Sequence, residues 1–292
     1  MVALAMRCLY VDLDGTLLGP GGSLVRGPDA RFTLDAVRAL QACDRAGAEV
    51  VIYSGRRQRT VFEDSRLLGL DCYIFEAGCG LVVDGELEWL TDGIVPSVEK
   101  GTIYEQIDAS GAPHLLLKHY AGQLEYHTPW SEGREVSHLF RGLVDLASAE
   151  ALLNEAGLGW LRMVDNGVVH EHLAPLTAGR DSLAIARDSG LRPDLPMVRA
   201  YHLIPAAASK VRAVARHMQA RGYGSEDCIA VGDSREDLGT SAAVGTCWLV
   251  ANALERDVSL SAELGPGVRV TSAAYGAGVY EAVVTTLAEA RG

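Results

Sequence analysis

The sequence predicts a doubly wound α/β core, a Rossmann-like parallel sheet, interrupted by an inserted α+β domain. Three observations carry this. Continuous apolar runs alternate with amphipathic helical stretches from residue 8 to residue 75. Between about 91 and 203 the alternation gives way to hairpin signals mixed with helices. After residue 208 the alternation resumes. Continuous apolar strands between helices indicate a parallel sheet covered on both faces. With 292 residues, two domains are expected: a core formed by residues 1–90 and 204–292, and an insert of residues 91–203.

The elements follow in order. Cys8-Leu9-Tyr10-Val11 reads as a buried strand ending in Asp12-Leu13-Asp14-Gly15-Thr16, with a Gly/Pro-rich turn at 19–22. Leu34, Val37, Leu40 and Ala46 then fall on one helical face, and Gly47 stops that helix. Glu49 to Tyr53 is a β-branched strand ending in Ser54-Gly55, followed by a helix from about Arg57 to Leu68. Cys72 to Phe75 is a third strand, and Asp84-Gly85 marks a hairpin between 81–83 and 87–90.

In the insert, Leu115–Tyr120 and Gln123–His127 read as strands, and Ser148–Ala156 as a helix. Leu161–Val164 and Val168–His172 read as a hairpin around Asp165-Asn166-Gly167. A helix over Gly179–Ser189 and a strand over Val198–Ile204 complete it. The second half of the core then reads as a helix over Ala208–Ala220, a strand over Cys228–Val231 and a helix over Arg235–Val244. Strands at 247–250 and 268–270 and a closing helix over Ala277–Ala290 finish the chain.

Composition excludes several function classes. Thirty-eight acidic residues against 26 basic ones give a net charge of −12, which opposes bulk nucleic-acid binding and adhesion to an anionic membrane. No apolar run is long enough to span a bilayer, and the apolar start is too short and uncharged for a signal peptide. A cytoplasmic location is the expectation. The six cysteines form no C-x-x-C pair and are scattered, so their spacing predicts neither a disulfide framework nor a zinc site.

Ligands of open α/β sheets bind outside the carboxyl ends of the strands. Four polar segments follow strands here. Asp12 and Asp14 offer two carboxylates where the chain turns. Ser54-Gly55 offers a hydroxyl and backbone N–H groups suited to phosphate oxygens. Lys210 opens a helix and offers a point charge. Gly232-Asp233-Ser234-x-x-Asp237 offers two further carboxylates. Clustered carboxylates call for a cation, and hard oxygen ligands select Mg²⁺.

Together and in this order, these segments resemble the four motifs of the haloacid dehalogenase superfamily of phosphatases. Asp12-Leu13-Asp14-Gly15-Thr16 matches the first, Ser54 the second, Lys210 the third, and Gly232 to Asp237 the fourth. The insert between the second and third motifs resembles a C2-type cap. That group includes Cof-type sugar phosphatases, sucrose-phosphate phosphatase and mannosyl-3-phosphoglycerate phosphatase. The resemblance implies Mg²⁺-dependent hydrolysis of a small phosphorylated metabolite, with a sugar phosphate or a phosphorylated sugar-acid conjugate as the expected substrate. It implies Asp12 as the nucleophile that becomes an aspartyl-phosphate, and Asp14 as the proton donor and later the base. It further implies Mg²⁺ held by Asp12, the Asp14 backbone carbonyl and Asp233. Ser54, the Gly55 N–H and Lys210 would hold the phosphoryl group, with Asp237, Ser234 and Arg56 in support.

Two positions depart from the pattern: Glu236 replaces the usual Asn, and Ala77-Gly78 replaces an Asn-Gly turn. The extra Glu236 carboxylate could serve a metal-bound water or point to solvent. Seven of the eight histidines lie in the insert. Lys118, His127, Trp130, His170 and His172 are the cap side chains that could meet a leaving group, with a packed core tryptophan as the alternative for Trp130. Two rival functions stand beside hydrolysis. One is a phosphomannomutase-like phosphosugar mutase on the same core. The other is a non-catalytic phosphometabolite-binding protein, which the intact Asp12/Asp14 pair opposes. Oligomeric state is not legible.

Overall fold

The apolar run Cys8–Val11 becomes strand β1, at the centre of an eight-stranded sheet. The computed structural model describes residues 6–169 and 189–290. In chain order the core strands are β1, β2 (Glu49–Tyr53), β3 (Tyr73–Phe75), β4 (Gly80–Val83) and β5 (Glu86–Trp89). The cap supplies β6 (Leu124–Tyr126), β7 (His138–Gly142), β8 (Leu161–Val168) and β9 (Arg199–Pro205). The core then resumes with β10 (Cys228–Gly232), β11 (Thr246–Leu249) and β12 (Val268–Val270). The large sheet has the order β12-β11-β10-β1-β2-β3-β4-β5, parallel through β3 and antiparallel at β4 and β5. β1 lies between β10 and β2, so the strand order reverses at β1, which is where such sheets bind ligands.

The period-2 alternation of the strands divides the core. Leu9, Val11, Ile52 and Val231 face helices α1 (Asp35–Ala46) and α9 (Tyr275–Glu289). Tyr10, Val51 and Ala230 face α6 (Lys210–Arg221) on the opposite side. α2 (Gln58–Leu68) follows β2, while α7 (Arg235–Gly239) and α8 (Ala251–Arg256) follow β10 and β11.

The second sheet is antiparallel, in the order β6-β7-β9-β8. It is backed by α3 (Ile103–Ala109), α4 (Ala112–His119) and α5 (Leu146–Glu155), through Ile107, Leu116 and Leu153 packed with Phe140 and Tyr201. Among the described residues no helix is long and apolar enough to cross a membrane.

Two sequence expectations are corrected. Leu115–Tyr120 is not a strand but most of α4, whose buried positions Ala112 and Leu116 stand one helical turn apart. A short leucine run fits either period, and Pro113 in the first turn favours the helix. Asp165-Asn166-Gly167 is not a hairpin turn. It is a bulge inside β8, which pairs with β9 on both sides of it. Gly167 has φ +97° and donates its N–H to Asp165 Oδ1 at 2.9 Å, an Asx turn that buckles one strand without reversing it. The expected strand from His170 onward and the helix from Gly179 to residue 188 lie outside the described residues.

Candidate active site

The loop after β1 is pinned to its neighbours by backbone. The Asp12 N–H donates to the Val231 carbonyl at 3.0 Å, and Asn252 Nδ2 donates to the Gly15 carbonyl at 2.8 Å. Gly15 has φ +88°, and a Cβ there would lie 2.1 Å from Asp233 Oδ2. Only glycine lets this loop approach the one after β10 so closely.

Lys210, the first residue of α6, reaches across to both loops. Its Nζ donates to Asp12 Oδ1 at 2.9 Å and to Asp237 Oδ1 at 2.8 Å, and lies 4.8 Å above the Tyr53 ring. The side chain is 1% exposed. Burial opposes its charge, but the two carboxylates outweigh burial and hold the ammonium above the ordinary lysine range. Burial pushes the Asp12 carboxyl upward, with Lys210 countering and Asp237 and Asp233 adding to the rise.

Asp237 ties Lys210 to the loop after β10. While Oδ1 faces Lys210, Oδ2 accepts from the Asp233 and Ser234 N–H groups at 3.0 Å each and from Ser234 Oγ at 2.7 Å. This is the start of α7, where a Ser three residues before a carboxylate forms a reciprocal cap.

Asp12, Asp233 and Asp237 place carboxylate oxygens within 4.8 Å of one another. Burial pushes Asp233 up to about 6, with Arg256 countering and Asp237 adding to the rise. Three converging carboxylate groups, two of them bridged by Lys210 and the third paired with Arg256, form a hard oxygen donor set, which fits Mg²⁺. Arg256 Nη1 meets Asp233 Oδ2 at 2.8 Å and is itself tied to the Tyr275 hydroxyl.

The Asp14 carboxylate stands outside that cluster. Arg56 grips it with a two-pronged contact, Nε to Oδ2 at 2.7 Å and Nη2 to Oδ1 at 2.6 Å, while Nη1 holds Asp64 at 2.8 Å. Ser54 is buried at the end of β2, and its Oγ accepts from the Arg56 N–H at 3.2 Å. Gly55 follows, its carbonyl taking two guanidinium contacts from Arg134 of the cap at 3.0 and 3.1 Å. The segments expected to carry chemistry therefore meet on one rim of the sheet.

Several residues at this rim had no sequence signal. Glu76, buried after β3, accepts from the Glu135 N–H at 2.9 Å, the Ser137 N–H at 2.5 Å and Ser137 Oγ at 2.7 Å, binding a cap loop to the core. His202 in β9 is fully buried, with Nδ1 3.0 Å from Ser137 Oγ and Nε2 without a partner among the described residues. A Cβ on Gly55 would lie 2.7 Å from that Nε2 and 2.9 Å from Asn166 Oδ1, so two cap side chains face the β2 loop. Burial, with Arg134 and Lys210 nearby, keeps His202 well below the ordinary histidine range and hence neutral.

The cap is also clasped to the core. Arg199 donates from Nε to Asp165 Oδ2 at 2.8 Å and from Nη2 to Asp257 Oδ2 at 2.7 Å, and Arg235 Nη1 reaches the same Asp257 oxygen at 2.8 Å.

The other cap expectations divide. Trp130 is 45% exposed and rests on His127, ring centres 4.8 Å apart, so it is not a core tryptophan. Lys118 is exposed on α4. His170 and His172 lie outside the described residues. Glu236 does not point to solvent: its side chain is 9% exposed, with Arg162 3.8 Å away and Oε2 unpartnered among the described residues, and burial pushes it up to about 7. Ala77 takes the left-handed turn, φ +58°, at the position where the superfamily pattern has Asn.

No family model matches the chain. The chain is 41% identical over 249 residues to a phosphoglycolate phosphatase of Halorubrum lacusprofundi, covering 84% of each protein. It is 26% identical over 279 residues to a phosphoglycolate phosphatase of Methanothermobacter thermautotrophicus, covering 95% of this chain and 97% of that one. The sucrose-phosphatase of Synechocystis, solved with sucrose and phosphate, superposes with a TM-score of 0.63 at 14% identity, over 97% of this chain and 98% of that one. The chain belongs to the family of these phosphoglycolate phosphatases and is a phosphatase with the fold of the haloacid dehalogenase superfamily.

Proposed function

We propose that the enzyme hydrolyses a small phosphorylated carboxylic acid, 2-phosphoglycolate or a near analogue, through an aspartyl-phosphate on Asp12. The observation that carries the reaction is the buried chain Asp12–Lys210–Asp237 at the ends of β1 and β10. Of the two Asp12 carboxylate oxygens Lys210 engages Oδ1, which leaves Oδ2 to attack phosphorus. Ser54 Oγ, the Gly55 N–H and Lys210 would orient the phosphoryl oxygens, with Lys210 offsetting their charge, which is most of what phosphoryl transfer requires.

Asp14 delivers a proton to the departing alcohol and then takes one from the water that cleaves the acyl phosphate. Arg56 sets the position of that carboxyl group. Asp12, Asp233 and the Asp14 backbone carbonyl would hold Mg²⁺, with Asp237 beside them. When bound, the ion neutralises charge on the phosphoryl group and on the carboxylates.

The substrate class is supported by the relative that shares 41% identity, which carries the name phosphoglycolate phosphatase. The cap clasp adds support, because it brings His202 and Asn166 down onto Gly55 and favours a small leaving group. The test is a phosphate-release screen with Mg²⁺ over 2-phosphoglycolate, phosphoglycerates, glycerol phosphate and hexose phosphates. The reading expects the highest kcat/KM for 2-phosphoglycolate. A hexose phosphate in first place would overturn the substrate class, and conversion to an isomeric phosphate without release would favour a mutase.

A further inference from the structure

We propose a second metal site, of zinc-binding character, formed by Cys8, Glu49 and His217 at the end of the sheet opposite Asp12. Cys8 and Glu49 open β1 and β2, and His217 comes from α6. Their donor atoms lie within 4.8 Å of one another. Cys8 and His217 are fully buried. Scattered through the sequence, these residues offer no ligand spacing, and only the parallel register of β1 and β2 and the packing of α6 bring them together.

The surroundings are those of a ligand set held from behind. His217 Nδ1 lies 2.8 Å from the Tyr10 hydroxyl. His217 Nε2 is buried without a hydrogen-bond partner among the described residues and stands 3.7 Å from Glu49 Oε2, too far for a hydrogen bond. In the tautomer whose Nδ1–H donates to Tyr10, the Nε2 lone pair is free for an ion shared with Glu49 and Cys8, as in metal-bound imidazoles whose second nitrogen is fixed by a neighbour. Glu49 is oriented by Arg221 on Oε1 at 3.0 Å and by the Tyr223 hydroxyl on Oε2 at 2.9 Å.

One thiolate, one imidazole and one carboxylate suit Zn²⁺ better than Mg²⁺ or Ca²⁺. Thiolate and carboxylate together balance the ion's two charges, so the buried site is neutral once Cys8 has given up its proton. Cys228, opposite Cys8 in the β1–β10 register, is the neighbouring candidate for the fourth position, with water as the alternative. Four residues of extended strand separate Cys8 from Asp12, about 13 Å, so the site is independent of the phosphatase centre.

The test uses the full chain, stripped with a chelator and titrated with Zn²⁺ or Co²⁺ in the presence of Mg²⁺. The proposal expects one equivalent of Zn²⁺ to bind. It also expects bound Co²⁺ to show a thiolate charge-transfer band, which an all-carboxylate centre cannot give. Cys8→Ala should remove that band. Glu49→Gln, at a half-buried position, should weaken Zn²⁺ binding by about tenfold or more, with Mg²⁺-dependent phosphatase activity unchanged. Absence of the band, equal Zn²⁺ affinity in wild type and Glu49→Gln, or a Cys8–Cys228 disulfide by thiol titration would each overturn it. Asp12→Asn should leave Zn²⁺ binding intact, which separates this site from the proposed reaction.

Discussion

Lys210 Nζ stands between Asp12 Oδ1, at 2.9 Å, and Asp237 Oδ1, at 2.8 Å, inside the protein. Removing this ammonium leaves two buried carboxylates facing each other. Breaking a buried pair by deleting one partner costs about 3–5 kcal/mol. Lys210→Met is therefore expected to lower the melting temperature clearly and to reduce kcat by about 10²-fold or more, the scale of a lost charge-stabilising donor. Kinetics with Mg²⁺ and a thermal melt check both. A variant with normal kcat would remove Lys210 from the phosphoryl site.

Arg56 fixes Asp14 with two hydrogen bonds while Asp64 fixes Arg56. Positioned proton transfer contributes roughly 10²–10⁴ in rate, and part of it is lost when the acid is loosely held. Arg56→Ala is expected to lower kcat by about tenfold with a smaller change in KM. Arg56→Lys, which cannot form the fork, should restore little. A change confined to KM would show that Arg56 acts on binding instead.

The cap clasp makes a pH prediction. Burial works against the Asp257 charge, but Ser259 and the Arg199 and Arg235 guanidiniums outweigh it and hold the carboxyl down at about 2, against an ordinary 3.8. A carboxyl lowered by folding stabilises the native state fully above its unfolded value and loses that contribution as pH falls through the folded one. The contribution is about 2 kcal/mol, present above about pH 4 and gone near pH 2. Denaturant melts of wild type and Asp257→Asn should differ at pH 7 and converge on acidification. A difference that stays constant from pH 7 to pH 2 would contradict the clasp.

Gly15→Ala tests the approach of the β1 and β10 loops. A Cβ there meets Asp233 Oδ2 at 2.1 Å in a backbone with φ +88°. The variant is expected to fold with reduced stability, by about 1–3 kcal/mol, and to lose most activity because Asp233 must move. Gly47→Ala, with open space around its Cβ and a similar φ of +68°, is the control that carries the backbone strain alone.

The core was legible because its signals are local. Buried strands such as Glu49–Tyr53 are continuous apolar runs, and β1, β2 and β10 each run out into a polar residue at the rim. The rim residues that follow them, Asp12, Ser54 and Asp233, were readable for the same reason. The cap was less legible. Its strand His138–Gly142 contains His and Arg and shows little alternation, because neighbouring strands and not one solvent face decide its burial. The start of α3 carries a local sign, Thr102 and Glu105 in a reciprocal cap. Glu76, Arg134 and His202 were not readable at all. Each is a buried polar residue whose partner lies about 60 or more positions away, as in the Glu76–Ser137 and His202–Ser137 contacts.

The most direct test of the central claim is phosphate release from 2-phosphoglycolate by Asp12→Asn beside wild type, with Mg²⁺ and again after chelation. The account predicts turnover by wild type, reversible loss on chelation, and no turnover by the variant, which keeps the fold but lacks the attacking carboxylate. Wild-type turnover by Asp12→Asn would contradict it.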